Sequence, residues 1–150
     1  RVAISSDIAD LNGIDVLRSL CRGKRVLLVG GSGEPAATLH LALEPVCTRL
    51  DGVAVAPDVP PAPLARGQMF ARLEDVTGSY DVVLVPEMLA RVPNAGTFLA
   101  QVQAIDASTF LLSVPDAYQC AAQHFEHLDA AQTFVETVHP DTNAWYTPYT

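Results

Sequence analysis

Apolar residues in this chain alternate between short continuous runs and stretches spaced for helices. Residues 1–9 read as a loose lead-in. Asp10–Cys21 puts Leu11, Ile14, Leu17 and Leu20 on one helical stripe, with Gly23 placed to cap it. Val26–Val29 is a continuous apolar run, the pattern of a strand buried on both faces. A glycine cluster follows. Then comes an Ala/Leu-rich helix from Pro35, carrying Leu39, Leu41, Leu43 and Val46 and expected to end near Leu50; Pro45 disturbs its last turn. Gly52–Ala56 predicts a second buried strand. Pro57–Gly67 holds four prolines and reads as a stiff, extended loop. Gln68–Leu73 predicts a short third strand, Asp81–Val85 a strong one, and Glu87–Arg91 a short turn or helix. Asn94 is placed to cap a helix over about Ala95–Ile105, with Phe98, Leu99, Val102 and Ile105 inward. Thr109–Val114 is the next strand, stopped by Pro115-Asp116. Tyr118–Ala131 predicts a helix and Phe134–Val138 a strand or extended segment. Residues 139–150 form an aromatic loop tail.

Strands alternating with helices at this spacing predict a single α/β domain, Rossmann-like and doubly wound, with a mainly parallel sheet and helices on both faces. In such sheets the ligand end is the carboxyl end of the strands, near the switch in strand order. Those ends are Val29–Gly33, Ala56–Asp58, Pro86–Met88 and Val114–Asp116.

The first of these ends carries the strongest chemistry. Gly30, Gly31 and Gly33 lie between a strand and a helix, and Glu34-Pro35 opens that helix. Pro35 suits a first turn, where its missing N–H costs nothing. Glycines let a backbone approach a ligand, and free N–H groups at a helix start favour an anion. The alternative is a tight strand-to-helix turn with nothing bound.

Charge narrows the partners. The net charge of −8 and the scattered Lys and Arg argue against nucleic acid. No apolar run reaches the length of a membrane span, and the amino end RVAISSDI lacks a signal-peptide pattern. Cys21, Cys47 and Cys120 are odd in number and widely spaced, which fits reduced thiols in a cytoplasmic setting.

Several segments together resemble the class I S-adenosylmethionine-dependent methyltransferases. They are VLLVGGSGE, GVAVAP, GSYDVVLVPEMLARVPNAGTFLAQVQAI and TFLLSVPDAY, and Ser79–Leu99 is the most specific. The tail VHPDTNAWYTPYT is similar to a segment in some bacterial members acting on sugars or small molecules. The resemblance spans roughly Arg25 to Thr150. It implies S-adenosylmethionine held at Gly30, Gly31, Gly33 and Glu34, and a small-molecule or sugar acceptor. The family has an acid two residues before the first glycine, where this chain has Leu28. It ends its second strand in an acid that holds the ribose hydroxyls, where this chain has Ala54 or Ala56; Asp58 is the nearest carboxylate. The third motif's acid is matched only nearby, by Glu74 and Asp75. The "EH" of the fourth motif is Ala90-Arg91, and the family's last two strands have no counterpart before Thr150. Losing the ribose acid removes charge-assisted hydrogen bonds of roughly 1.5–3 kcal/mol.

Other constellations carry alternatives. Cys120, His124 and His127 share a helical face and could ligate zinc with Glu126 or His139, or be two surface histidines and a buried cysteine. His139 and Asp141 are candidates for a general base, and Trp145 and Tyr146 for a pocket wall; the alternative is a packed loop with a solvated histidine. Glu87 either faces cofactor or substrate or is an acid favoured by a helix start. Three functions are thus weighed. The first is a methyltransferase. The second is a non-catalytic methyltransferase-like domain, with a protein partner or self-association at an open sheet edge. The third, weaker, is a nicotinamide-dinucleotide domain, because GGSGE does not complete G-x-G-x-x-G.

Overall fold

The computed structural model describes residues 13–30, 34–54, 67–114 and 143–147, with residues 34–36 described in backbone only. Its elements are α1 (Gly13–Cys21), β1 (Arg25–Gly30), α2 (Glu34–Leu43), β2 (Arg49–Ala54), β3 (Met69–Phe70), β4 (Tyr80–Pro86), α3 (Ala95–Gln103) and β5 (Ala107–Ser113). Single 3-10 turns cover Leu73–Asp75 and Met88–Ala90. The predicted segments 118–131 and 134–138 and the proline loop over 57–66 lie outside the described residues.

The five strands form one parallel sheet in the order β3-β2-β1-β4-β5. β1 and β2 pair from Arg25↔Arg49 to Gly30↔Ala54, and β1 and β4 pair from Val26↔Val82 to Leu28↔Leu84. β4 and β5 run in step: the Tyr80 amide donates to the Asp106 carbonyl and the Glu87 amide to the Ser113 carbonyl, both at 2.9 Å and both offset by 26 residues (106 − 80 and 113 − 87). The fold class is therefore α/β, of the Rossmann-like kind.

Two compact units divide the chain: Arg1–Val85 with Ile105–Leu111, and Pro86–Ala104 with Leu112–Thr150. In the first unit, Val26, Leu28, Leu50, Val82 and Leu84 share one side of the sheet with Cys21, Leu43 and Cys47, and Leu17, Leu39, Val46 and Leu111 pack on them. Leu27, Val29, Val53, Val83 and Val85 alternate with these and are also buried. Central parallel strands are covered on both faces, which is why β1 reads as unbroken apolar sequence. In the second unit, Phe98 and Val102 are the buried side of α3.

The helix after the glycines ends earlier than its periodicity predicts. It stops at Leu43, not near Leu50. Pro45 has no amide to donate and its ring would crowd a continuing turn. The chain instead closes a turn in which the Val46 and Cys47 amides both donate to the Leu43 carbonyl. Ending there frees Arg49–Asp51 to join β2, which begins three residues before the expected Gly52. The third strand is likewise shorter than predicted, Met69–Phe70 only, and a turn holds Leu73. Two positions on the predicted helical stripes are solvent-facing: Ile14 and, at 67 % exposure, Leu41.

Candidate functional site

The sheet order turns at β1. From β1 the chain steps outward through β2 to β3, then crosses to the other side for β4 and β5. Gly30 is the last residue of β1 and is buried. After the three residues 31–33, α2 opens at Glu34, so residue 35 falls in its first turn as expected. A strand end, a short glycine-bearing connection and a helix start thus meet at the turning point of the sheet, where α/β sheets bind ligands. Gly31 and Gly33 lie in the connection outside the described residues, as do Asp58, His139 and Asp141, and the zinc candidates Cys120, His124 and His127. Among the described residues no three His, Cys, Asp or Glu side chains are arranged to hold a metal. No helix among them is long and apolar enough to cross a membrane.

Neighbouring β2 ends at Ala54, which pairs with Gly30. Among the described residues no carboxylate stands at that strand end. The acid of β2 is Asp51, which the predicted strand boundary left out. It lies level with Leu27 in the interior of the strand, 0 % exposed. Both carboxylate oxygens accept from Arg49 Nε at 2.9 Å, Oδ1 accepts from the Gln68 amide at 2.7 Å, and Oδ2 accepts from the Tyr80 hydroxyl at 3.0 Å. A buried charge is tolerated only when paired and hydrogen-bonded, and all three donors meet that need. The Arg25 guanidinium lies over the Tyr80 ring, 5.7 Å from its centroid. Burial, with the hydrogen bond to Asp51 adding to it, pushes the Tyr80 phenol up to about 12. The Asp51 bond, ahead of simple attraction, raises Arg49 further. Asp51 is therefore fully engaged in tying β2, the residue before β3 and the start of β4 together. A cue was present in the sequence: Asp51 follows Leu50 and precedes an apolar run, an acid where only buried neighbours are expected.

Three other groups in the first unit are perturbed by burial. Cys21 is pushed up to about 11, by burial first and by Cys47 second, and Cys47 is raised by burial. Both are free thiols held as inert core residues. His40 on α2 is lowered by burial, with Glu44 opposing.

The second unit holds Glu87. It directly follows β4 and adopts φ 56°, ψ 7°, the one non-glycine residue with positive φ among those described. A left-handed glutamate costs on the order of 1 kcal/mol. It precedes the turn Met88–Ala90, whose residues are all buried, and its carboxylate lies 3.6 Å from Arg91 Nη2. The tail segment 143–147 is fastened to this turn. The Asn143 and Ala144 amides donate to the Ala90 carbonyl at 2.7 and 3.2 Å, Asn143 Nδ2 donates to the Arg91 carbonyl at 2.6 Å, and the Tyr146 hydroxyl donates to the Leu89 carbonyl at 3.2 Å. A 3-10 turn leaves these carbonyls without helical partners, and the tail supplies them. The structure thus brings Asn143, Ala144 and the Tyr146 hydroxyl to the turn that Glu87 opens.

Comparison with known proteins adds no assignment: no family model, no curated protein and no solved structure matches the chain significantly. What fold and site define is a class, a Rossmann-like α/β domain with a glycine-bearing corner at the turning point of its sheet.

Proposed function

We propose that the chain is a methyltransferase-like domain that binds S-adenosylmethionine at the carboxyl end of β1. One observation carries the reading: β1, where the sheet order turns, ends in Gly30 and is joined to the start of α2 at Glu34 by only three residues. Backbone N–H groups at such a corner suit the carboxylate of the cofactor's methionine end. Gly31 and Gly33 are the residues that the sequence offers for that approach, and Asp58 for the ribose. The acceptor in this reading is a small molecule or a sugar, with His139 and Asp141 as candidate bases.

The ribose end fits less well. β2 ends in Ala54, and Asp51 cannot turn outward without stranding Tyr80, Gln68 and Arg49. Among the described residues no carboxylate at the end of β2 replaces it. That same observation favours a second reading, a domain of this architecture kept for assembly and not for catalysis. β5, an edge of the five-strand order, would then be the place for a partner.

Isothermal titration of the chain with S-adenosylmethionine and S-adenosylhomocysteine separates the two. The expected result is micromolar affinity, about −8 kcal/mol, abolished by Gly31→Val. A folded chain that binds neither compound at millimolar concentration would sink the first reading and leave the second.

A further inference from the structure

The amino end of the sheet carries two cations whose donors the fold does not use. Arg25 opens β1 and Arg49 opens β2, and they are level partners on adjacent parallel strands. Such neighbours stand roughly 4.8 Å apart. The Arg25 guanidinium lies over the Tyr80 ring, and among the described residues it makes no hydrogen bond or ion pair. Its Nε is buried without an acceptor. Asp81 accepts from the Arg25 main-chain amide at 2.8 Å and forms no ion pair with the side chain. Arg49 gives Asp51 its Nε alone, shared between both oxygens. Its Nη1 and Nη2 are unspent among the described residues, on a side chain that is 44 % exposed. Tyr80 fixes the two relative to each other: its hydroxyl donates to the carboxylate that Arg49 grips, and Arg25 covers its ring. The sequence has 17 acidic residues, yet none described is paired with these free nitrogens. Arg22 and Lys24 are left aside, since cations just past the end of α1 are favoured by its dipole.

From this pair we infer an anion site at the amino end of β1 and β2, held by Arg25 and Arg49, whose ligand is a small phosphate monoester. A guanidinium presents N–H donors as a planar fork that matches the oxygens of an oxyanion. One fork satisfies a planar carboxylate. Two forks on neighbouring strands suit a tetrahedral group with three terminal oxygens and a charge of about −1.5 to −2 at pH 7. The cations form a point and not a stripe, so the site does not call for a nucleic-acid backbone. Gly78 borders it. A Cβ there would lie 3.5 Å from Arg25 Nη2, so the turn before β4 passes that nitrogen with no side chain in the way. Tyr80 and Asp51 are positioning residues, since the hydroxyl and the carboxylate are spent on each other, on Arg49 and on the Gln68 amide. All these residues belong to the first unit. They lie at the other end of the strands from Gly30 and Ala54, so the inference does not depend on the cofactor reading.

The full chain would be titrated with inorganic phosphate and with methyl phosphate by calorimetry at low ionic strength, with acetate and chloride as controls. Both phosphates are expected to bind saturably at millimolar concentration or below, and acetate roughly tenfold more weakly or not at all. Arg25→Gln should weaken methyl phosphate roughly tenfold, and Arg25→Lys, which keeps the charge and loses the fork, should fall between the two. Arg49→Lys leaves Asp51 a cation and should weaken the phosphate as well. It also reads the site if Arg25→Gln fails to fold by circular dichroism. Arg91→Gln, in the second unit, should change nothing. A folded chain that binds neither phosphate at millimolar concentration would overturn the inference. So would equal affinity for acetate, or an affinity unchanged in folded Arg25→Gln and Arg49→Lys. Gly31→Val should abolish S-adenosylmethionine binding and leave phosphate binding intact, so the failure of one reading is distinguishable from the failure of the other.

Discussion

Replacing Asp51 by alanine would leave the Tyr80 hydroxyl, the Gln68 amide and the Arg49 guanidinium without their shared acceptor. The Tyr80 hydroxyl is buried and costly to strand, while Arg49 and Gln68 reach solvent, so Asp51→Ala should cost about 2–3 kcal/mol in urea unfolding. Tyr80→Phe removes a single bond and leaves Asp51 two donors, so a loss of about 1–2 kcal/mol is expected in the same assay. An equal cost for the two would show that the hydroxyl, not the carboxylate, holds the network. At Glu87 the sign is opposite. Glu87→Asn should raise the free energy of unfolding in urea, by on the order of 0.5–1 kcal/mol, because asparagine adopts positive φ at less cost. The sequence carried a cue to the burial of Asp51 but not to its partners, and none to the backbone of Glu87. Glu87 could be named as a candidate from its place after a strand, but its backbone conformation depends on the turn packed beneath it. Asp51 was missed because the helix before it was extended too far.

At the scale of elements, local chemistry was readable wherever it was strong. Asn94 was expected to cap a helix, and its Oδ1 accepts from the Thr97 amide at 2.9 Å. Asn94→Ala should cost about 1 kcal/mol, measurable as a lower melting temperature. Gly23, placed to cap α1, has φ 68° and donates its amide to the Val46 carbonyl at 2.8 Å. Gly67 was seen only as the end of a proline loop. In the fold a Cβ there would collide with the Leu50 carbonyl, because the chain passes tightly against β2 before entering β3. Gly67→Ala should therefore destabilise by about 2 kcal/mol or more, with near-UV circular dichroism showing whether β3 still docks. Close approach of two backbones distant in sequence leaves no local mark, so this demand was invisible until β2 and β3 were paired.

For the whole molecule, ionisation of the core sets the pH range of stability. Cys21 and Tyr80 are raised to about 11 and about 12 in the fold, from ordinary values of 9.0 and 10.0. Each group prefers its neutral form when folded. Their contribution is complete below pH 9 and pH 10 respectively, and is lost as pH rises to about 11 and about 12. Denaturation midpoints should fall from pH 9 upward, and Tyr80→Phe should remove the part between pH 10 and 12, on the order of 2–3 kcal/mol. His40 works in the other direction. Its lowered value favours the neutral form in the fold, so stability is full above pH 6.5 and declines as pH falls through the depressed value. His40→Gln should flatten the acid limb.

The hydrophobic pattern by itself determined that this is an α/β protein with buried parallel strands, because unbroken runs such as Val26–Val29 have no other way to leave water. It also located the glycine-bearing corner after the first strand and the capped helix at Asn94. Strand order, the register that sets Ala54 level with Gly30, the interior place of Asp51 and the docking of 143–147 on the turn after β4 were decided only by the tertiary structure. Each depends on which distant segments become neighbours, and that choice is made by the summed burial and hydrogen bonding of the whole sheet and not by any one stretch of chain.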